Sequence, residues 1–192
     1  MTTQIKATIQ GITPLKMSAI SQEVIDGLLS GRAKPKQFGD KGTPREVAEK
    51  SLYKEADGTI YIPIKAIFAA IREAGKFHKL GKKQVSTEKN SLVPAYVSAS
   101  PEHCSLNTKD WEVDIETGFN KNVEALIVIC RPRLDKWEVK FNLEFDSDYF
   151  PSRLVRQLVD DAGIKCGLLA QRPGRRGMYG KFKVIKWDEK KL

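Results

Sequence analysis

Thr59-Ile60-Tyr61-Ile62-Pro63-Ile64-Lys65-Ala66-Ile67-Phe68-Ala69-Ala70-Ile71-Arg72 changes period in its middle. Thr59–Ile62 is β-branched and aromatic, as a strand requires, and Pro63 ends it. From Ile64 onward, Ile64, Ile67, Phe68 and Ile71 recur at helical spacing. Ala66, Ala69, Ala70 and Ala74 are strong helix formers between them. Gly75 and the basic run Lys76-Phe77-His78-Lys79 close the helix. A strand therefore feeds the main core helix of the first half.

Upstream, Gln4–Ile12 alternates apolar and polar residues, the pattern of a half-buried strand ended by Thr13-Pro14-Leu15. Ser21–Leu29 reads as a short helix stopped by Gly31. Thr43-Pro44-Arg45-Glu46 is a capping box with proline at the first helical position. Downstream, Gly81–Phe119 is irregular, with Leu92–Ser98 and Trp111–Ile115 as short strands inside an insertion. Val123–Arg131 holds the apolar run Ala125–Cys130, as for a strand covered on both faces. Trp137–Phe145 alternates, and a turn through Leu134-Asp135-Lys136 is expected to join the two as a hairpin. Arg131-Pro132-Arg133 then falls at the end of the first hairpin strand. Trp137 shares its period with Val139, Phe141 and Leu143, which places it in the core.

Ser152–Ala162 forms a second amphipathic helix through Leu154, Val155, Leu158 and Val159, with Gly163 as its stop. Tyr179–Trp187 is the last strand. The order is β-α-β-β-α-β, an α+β fold of the ferredoxin-like or RRM-like type. An antiparallel sheet carries both helices on one face. One domain spans residues 1–192, with insertions at about 16–58 and 81–120.

Between the second helix and the last strand lie Gly167, Gly174, Gly177 and Gly180, interleaved with Arg172, Arg175, Arg176 and Lys181. Glycines admit close backbone approach, and arginines present planar donor forks to phosphate oxygens. Phe182 stands where a nucleotide-triphosphate loop needs Ser or Thr, so that chemistry is excluded. Gly174-Arg175-Arg176-Gly177 fits the short GXXG pattern of RNA-backbone clamps. The alternative for the stretch is a glycine-rich turn with solvated arginines.

The chain has 192 residues with 33 Lys and Arg against 24 Asp and Glu, a net charge of +9. Such a balance favours an anionic partner, with nucleic acid ahead of a membrane surface, since no segment joins a strong apolar face to a basic one. The basic residues cluster in Arg32–Lys50, Lys76–Lys89 and the late loop. Ala125–Cys130 is the longest apolar run and is far too short to span a bilayer. Met1-Thr2-Thr3-Gln4 carries no signal-peptide pattern, and Cys104, Cys130 and Cys166 form no CxxC pair. A reducing cytoplasm is expected, with no metal and no cofactor.

Three stretches resemble the RAMP superfamily of CRISPR effector complexes, above all its guide-RNA-binding backbone subunits. They are Gly11-Ile12-Thr13-Pro14-Leu15, the Tyr61–Arg72 strand and helix, and the glycine-rich loop Gly167–Phe182. The resemblance implies an RRM-like fold with an insertion and single-stranded RNA along the sheet and loops. It also implies Lys65 and Arg72 near the strand path, Arg172–Lys181 on the backbone, and assembly into filaments. The sequence departs from the cleaving branches, which use a loop Asp after the first strand. Here Asp26 and Asp40 lie outside any matching motif, although Asp40 in Phe38–Gly42 could occupy such a loop. Guide-processing relatives often use a histidine base, whereas His78 sits among lysines, where solvated surface is expected.

The candidate nucleic-acid-binding residues are Arg32, Lys34 and Lys36 in the first basic loop, and Lys65, Arg72, Lys76 and Lys79 along and after the core helix. Arg131 and Arg133, and Arg172, Arg175, Arg176, Tyr179 and Lys181, complete the set. A non-catalytic protein that coats single-stranded DNA or RNA, and self-associates into a filament or ring along it, is the leading expectation. A CRISPR guide-RNA backbone subunit, a metal-independent endoribonuclease using Asp40 or His78, and a protein-binding module are the alternatives.

Overall fold

A computed structural model of the chain describes residues 1–31, 42–120 and 124–192. Candidates Arg32, Lys34, Lys36 and Asp40 lie outside the described residues. The main sheet has four antiparallel strands: β1 (Thr2–Gly11), β6 (Val97–Ser100), β10 (Glu138–Asp146) and β11 (Phe182–Lys191). Their order across the sheet is β11-β1-β10-β6. Helices α3 (Ile64–Ala74) and α5 (Ser152–Asp161) are the two crossovers. Counting only these elements gives β1-α3-β6-β10-α5-β11, the α+β ferredoxin-like arrangement expected from the sequence.

The core lies between one sheet face and the two helices. Ile5, Ala7 and Ile9 of β1 and Val139, Phe141 and Leu143 of β10 alternate inward. They meet Ile67, Ile71 and Ala74 from α3 and Val155, Leu158 and Val159 from α5. Fully burying one such aliphatic or aromatic side chain is worth roughly 1.5–3 kcal/mol, so the two apolar helix stripes hold the layers together. Trp137 joins this core at 5 % exposure, as its period predicts. Its indole N–H donates to the Thr13 carbonyl at 2.9 Å, and its ring meets Phe182 edge-on at 6.4 Å. Gly11 lies so close beneath the indole that a Cβ there would sit 2.2 Å from Nε1.

The second core strand is not the one expected. β6, only four residues long and inside the predicted second insertion, takes the sheet edge against β10. The apolar strand β9 (Ala125–Leu134) leaves the main sheet instead. It pairs with β8 (Glu112–Asn120) on one side and with the two-residue β2 (Leu15–Lys16) on the other. No hairpin joins β9 to β10. Arg131-Pro132-Arg133 does fall near the end of β9, but in the central strand of a three-stranded sheet, with Pro132 opposite Val113. The Pro132 carbonyl is still used, accepting from the Met17 N–H at 2.9 Å.

The Ala125–Cys130 run is also not covered on both faces. Leu126 and Val128 are 77 % and 65 % exposed, and Ile115 and Phe119 of β8 share their face. The run is one apolar face of a projecting hairpin.

Around this frame sit α1 (Gln22–Leu29), α2 (Pro44–Glu49), β3 (Tyr61–Pro63) paired with β7 (His103–Ser105), the small hairpin β4 (Lys79–Leu80) with β5 (Lys83–Gln84), and α4 (Val93–Tyr96). Ser21 caps α1, and Thr43 and Glu46 form the predicted capping box of α2. Among the described residues no helix is long and apolar enough to cross a membrane.

Candidate nucleic-acid interface

The segment after α5 is a tightly bonded loop. The helix does not stop at Gly163. It continues through a wider turn, Ala162–Cys166, and ends at Gly167 with φ +68°. Gly163 is needed for proximity, since a Cβ there would lie 2.2 Å from the Phe182 carbonyl. Leu169, Gln171, Arg176 and Gly180 also take left-handed backbone angles. Hydrogen bonds close the loop on itself: Leu168 N–H to Gly180 O at 2.9 Å, Tyr179 N–H to Gln171 O at 3.0 Å, and Gly177 N–H to Arg172 O at 3.0 Å. Others tie it to the exit of β1, from Gly180 N–H to Pro14 O at 2.8 Å and from Lys181 N–H to the Thr13 hydroxyl at 3.0 Å. The amides of Arg175 and Arg176 are spent on Arg172 and Pro173 carbonyls. The loop therefore does not offer a GXXG-type row of free N–H groups. It can meet phosphates only through its side chains.

Those side chains border a groove of about 740 Å³ between α3, the segment 86–94 and the loop. Arg72, Lys76, Lys89, Arg172 and Arg175 line it, with Glu73 and Glu88 as the only carboxylates among the described residues. The sequence spacing explains the helical part. Lys65, Ala69, Arg72 and Lys76 follow one another at intervals of four, three and four, so they share one stripe of α3 and its continuation. Arg172 pairs with Glu73 at 3.7 Å. Arg72, Lys76, Lys89 and Arg175 have no ion-pair partner among the described residues, which leaves four cationic groups facing an open groove. Lys89 and Glu73 were not singled out from the sequence, although Lys89 ends the second basic cluster.

Other candidates are placed elsewhere. Arg131 and Arg133 are partly buried in an ionic joint at the root of the β8–β9 hairpin. Arg131 meets Glu116 at 3.3 Å, and Arg133 meets Asp114 at 3.5 Å and Asp135 at 2.6 Å. At the centre is Lys16, which the sequence reading missed. Its side chain is 0 % exposed and its Nζ lies 2.6 Å from both Asp114 and Glu116. The ammonium also sits 3.9 Å over the Tyr179 ring, so Tyr179 faces inward instead of waiting for a base. Gln171 of the loop donates to Glu116 at 2.6 Å. Burial disfavours the Lys16 charge, but the hydrogen bond to Glu116 and the Asp114 carboxylate beside it outweigh that cost and hold its pKa above the ordinary lysine value. The Lys16 hydrogen bond in turn holds Glu116 below the ordinary carboxylate range.

Lys181 is half-buried, with its backbone spent on Thr13 and Ile12. Arg176 is exposed but outside the groove lining, as are Lys65 and Lys79. The outward positions of the main sheet, among them Gln4, Lys6, Gln10, Lys140, Asn142 and Glu144, carry no aromatic ring. An RRM-type stacking path along the sheet therefore has no platform here.

His78 is not solvated surface. It is 17 % exposed and its Nε2 lies 2.9 Å from Asp161, which Lys165 also contacts at 2.7 Å. His103 is bound to Glu55 at 2.6 Å and stacked on Tyr61 at 3.9 Å. Asp26 accepts from Gln22 on α1. Burial pushes the Cys104 thiol up to about 11 and Cys166 to about 12, so both are inert. Among the described residues no three His, Cys, Asp or Glu side chains cluster as metal ligands.

No protein-family model matches the chain, and no curated protein matches it in sequence. Among solved structures, a chain from the cryo-EM structure of the Type III-B Cmr-beta bound to cognate target RNA is similar, with a TM-score of 0.59 and 14 % identity. The match covers 99 % of this chain but 61 % of that one, so this chain spans less than two thirds of its neighbour's length. What the two have in common is the fold, the α+β ferredoxin-like sheet and helices described above.

Proposed function

We propose that this protein binds single-stranded nucleic acid through backbone phosphates, largely without sequence preference and without cleaving it. The observation that carries the reading is the groove, where Arg72, Lys76, Lys89 and Arg175 converge with no ion-pair partner among the described residues. Donor forks and ammonium groups on two opposed walls suit a flexible polyanion better than a compact ligand. RNA is the first ligand to test, because the similar chain comes from an assembly described with target RNA.

Anisotropy titrations with matched single-stranded RNA, single-stranded DNA and duplex, across a salt series, test it. Single strands should bind best, with log affinity falling linearly in log salt. The double variant Arg72→Ala/Arg175→Ala should weaken all single-stranded sequences alike and reduce the slope by up to about 0.7 per lost contact. Arg176→Ala, outside the groove lining, should leave the slope unchanged. A double variant that is folded and keeps the wild-type slope would remove the groove from the strand path. Under this reading labelled single-stranded RNA should remain intact in EDTA. Discrete cleavage products lost in Asp40→Ala or His78→Ala would replace binding with catalysis.

Self-association along the strand belongs to the same proposal. The exposed apolar face of Ile115, Phe119, Leu126 and Val128 supports it, because soluble monomers rarely leave such ribbons uncovered. Light scattering with and without oligonucleotide should show growth that Phe119→Ser/Leu126→Ser abolishes. A second reading, a guide-RNA-holding subunit of a CRISPR effector, is supported by the shared fold. Co-purification of discrete short RNAs would favour it.

A further inference from the structure

Beside the basic groove lies a second, smaller cavity of about 270 Å³, lined by Ser18, Tyr53, Ala66, Ala69, Leu169, Ala170 and Arg172. Ala69 and Arg172 border both cavities, so the two are contiguous and Arg172 stands at the lip between them. The character changes across that lip. The groove carries Arg72, Lys76, Lys89 and Arg175, whereas the socket gathers three alanines, Leu169 and the Tyr53 ring, with Ser18 and Arg172 as its polar groups. We infer that this socket receives one base of the strand whose phosphates lie in the groove, an inference that rests on the nucleic-acid reading above.

Four observations favour a base over another occupant. The volume is below the roughly 300–1,000 Å³ of sites for drug-sized ligands, which suits one planar ring system. Tyr53 is half-buried and tilted against Tyr61, with ring centroids 5.8 Å apart, so its orientation is held from behind. Its hydroxyl makes no hydrogen bond among the described residues, and burial raises its pKa, so it remains a neutral donor or acceptor for a base edge. Leu169 is held at φ +58°, a left-handed angle that costs a leucine free energy and brings its side chain to the socket wall. The small side chains Ala66, Ala69 and Ala170 leave the space that a larger residue would fill. The Arg172 guanidinium at the lip donates to the Leu169 carbonyl at 3.3 Å and pairs with Glu73 at 3.7 Å, and its remaining N–H donors can meet the phosphate that follows a base turned inward.

The test compares wild type with Tyr53→Leu on a short oligouridylate and on its abasic counterpart with the same phosphates, across a salt series. Base–aromatic stacking predicts that Tyr53→Leu weakens oligouridylate binding about 5- to 100-fold. The salt slope should not move, because no phosphate contact is lost, and a general loosening of the groove would move it. Wild type should bind the abasic strand more weakly by a similar factor, and Tyr53→Leu should not discriminate between the two strands. Ala66→Leu, which fills the socket from the helix side, should reproduce the Tyr53→Leu result. Equal binding of oligouridylate by wild type and Tyr53→Leu, or equal binding of both strands by wild type, overturns the socket and leaves the groove standing. The second comparison uses wild type alone, so it holds even if a variant fails to fold. Absence of any wild-type binding overturns the groove reading and the socket with it.

Discussion

Lys16→Met should destabilise the protein by about 3 kcal/mol in urea denaturation at neutral pH. Lys16 is fully buried and neutralises two carboxylates at once, Asp114 and Glu116, each 2.6 Å away. Removing one partner of a buried pair costs about 3–5 kcal/mol, because the remaining charge stays buried without compensation. The lower end applies here, since Arg131 and Arg133 still touch the outer oxygens and Glu116 is 31 % exposed. The cost should vary with pH in a defined sense. Glu116 has a folded pKa below its ordinary 4.5, so its contribution is in place above that value and is lost as pH falls through the depressed folded value. Lys16 has a folded pKa above its ordinary 10.5, so its contribution is full below 10.5 and fades as pH rises through the raised value. The gap between wild type and Lys16→Met should therefore close at the acid end. Neutralising the whole joint, as Lys16→Met/Asp114→Asn/Glu116→Gln, should recover part of the loss, because matched removal of partners is far cheaper than orphaning one. A Lys16→Met protein within about 1 kcal/mol of wild type at pH 7 would mean that the joint is idle.

The joint also shows why some of the molecule was legible in sequence and some was not. Local signals held. The Ile64–Ala74 periodicity, the Thr43 capping box, the β1 and β10 alternation and the inward period of Trp137 each depend on neighbours within a few residues. Non-local facts did not show. Lys16 looks like an ordinary strand-end lysine, because its partners are about a hundred residues away. Arg131 looks free until β8 is known to lie beside it, which brings Glu116 to 3.3 Å. β6 is four residues of Val97-Ser98-Ala99-Ser100, too short and too weakly apolar to outrank Ala125–Cys130 as a sheet strand. The stronger run misleads because apolar character records what a face can bury, not whether anything covers it. For the candidate site, Arg72, Lys76, Arg172 and Arg175 were recognisable by charge and position. Charge could not say that Arg131, Arg133 and Tyr179 are already occupied.

Gly177→Val should cost about 1–3 kcal/mol of stability and at least as much affinity as Arg72→Ala/Arg175→Ala. The reason is not backbone conformation. The left-handed residue is Arg176, at φ +63°, whereas Gly177 falls outside that region. The constraint is contact: a Cβ on Gly177 would lie 1.8 Å from the Gln171 carbonyl oxygen and 2.3 Å from its carbon. Backbone cannot swing aside as a flexible side chain can, so the loop segment 171–173 must be pushed away. The Gly177–Arg172 and Tyr179–Gln171 hydrogen bonds then break, Gln171 draws back from Glu116, and Arg172 and Arg175 lose their places on the groove wall. The salt slope should fall by about 0.7 for each phosphate contact released. Gly174→Ala is the internal control. Its Cβ would meet Glu73 Oε1 at 2.7 Å, the movable end of a side chain, so the cost should stay below about 1 kcal/mol. A Gly177→Val protein with wild-type stability and slope, or one no worse than Gly174→Ala, would show that the closely bonded loop does not position the groove arginines.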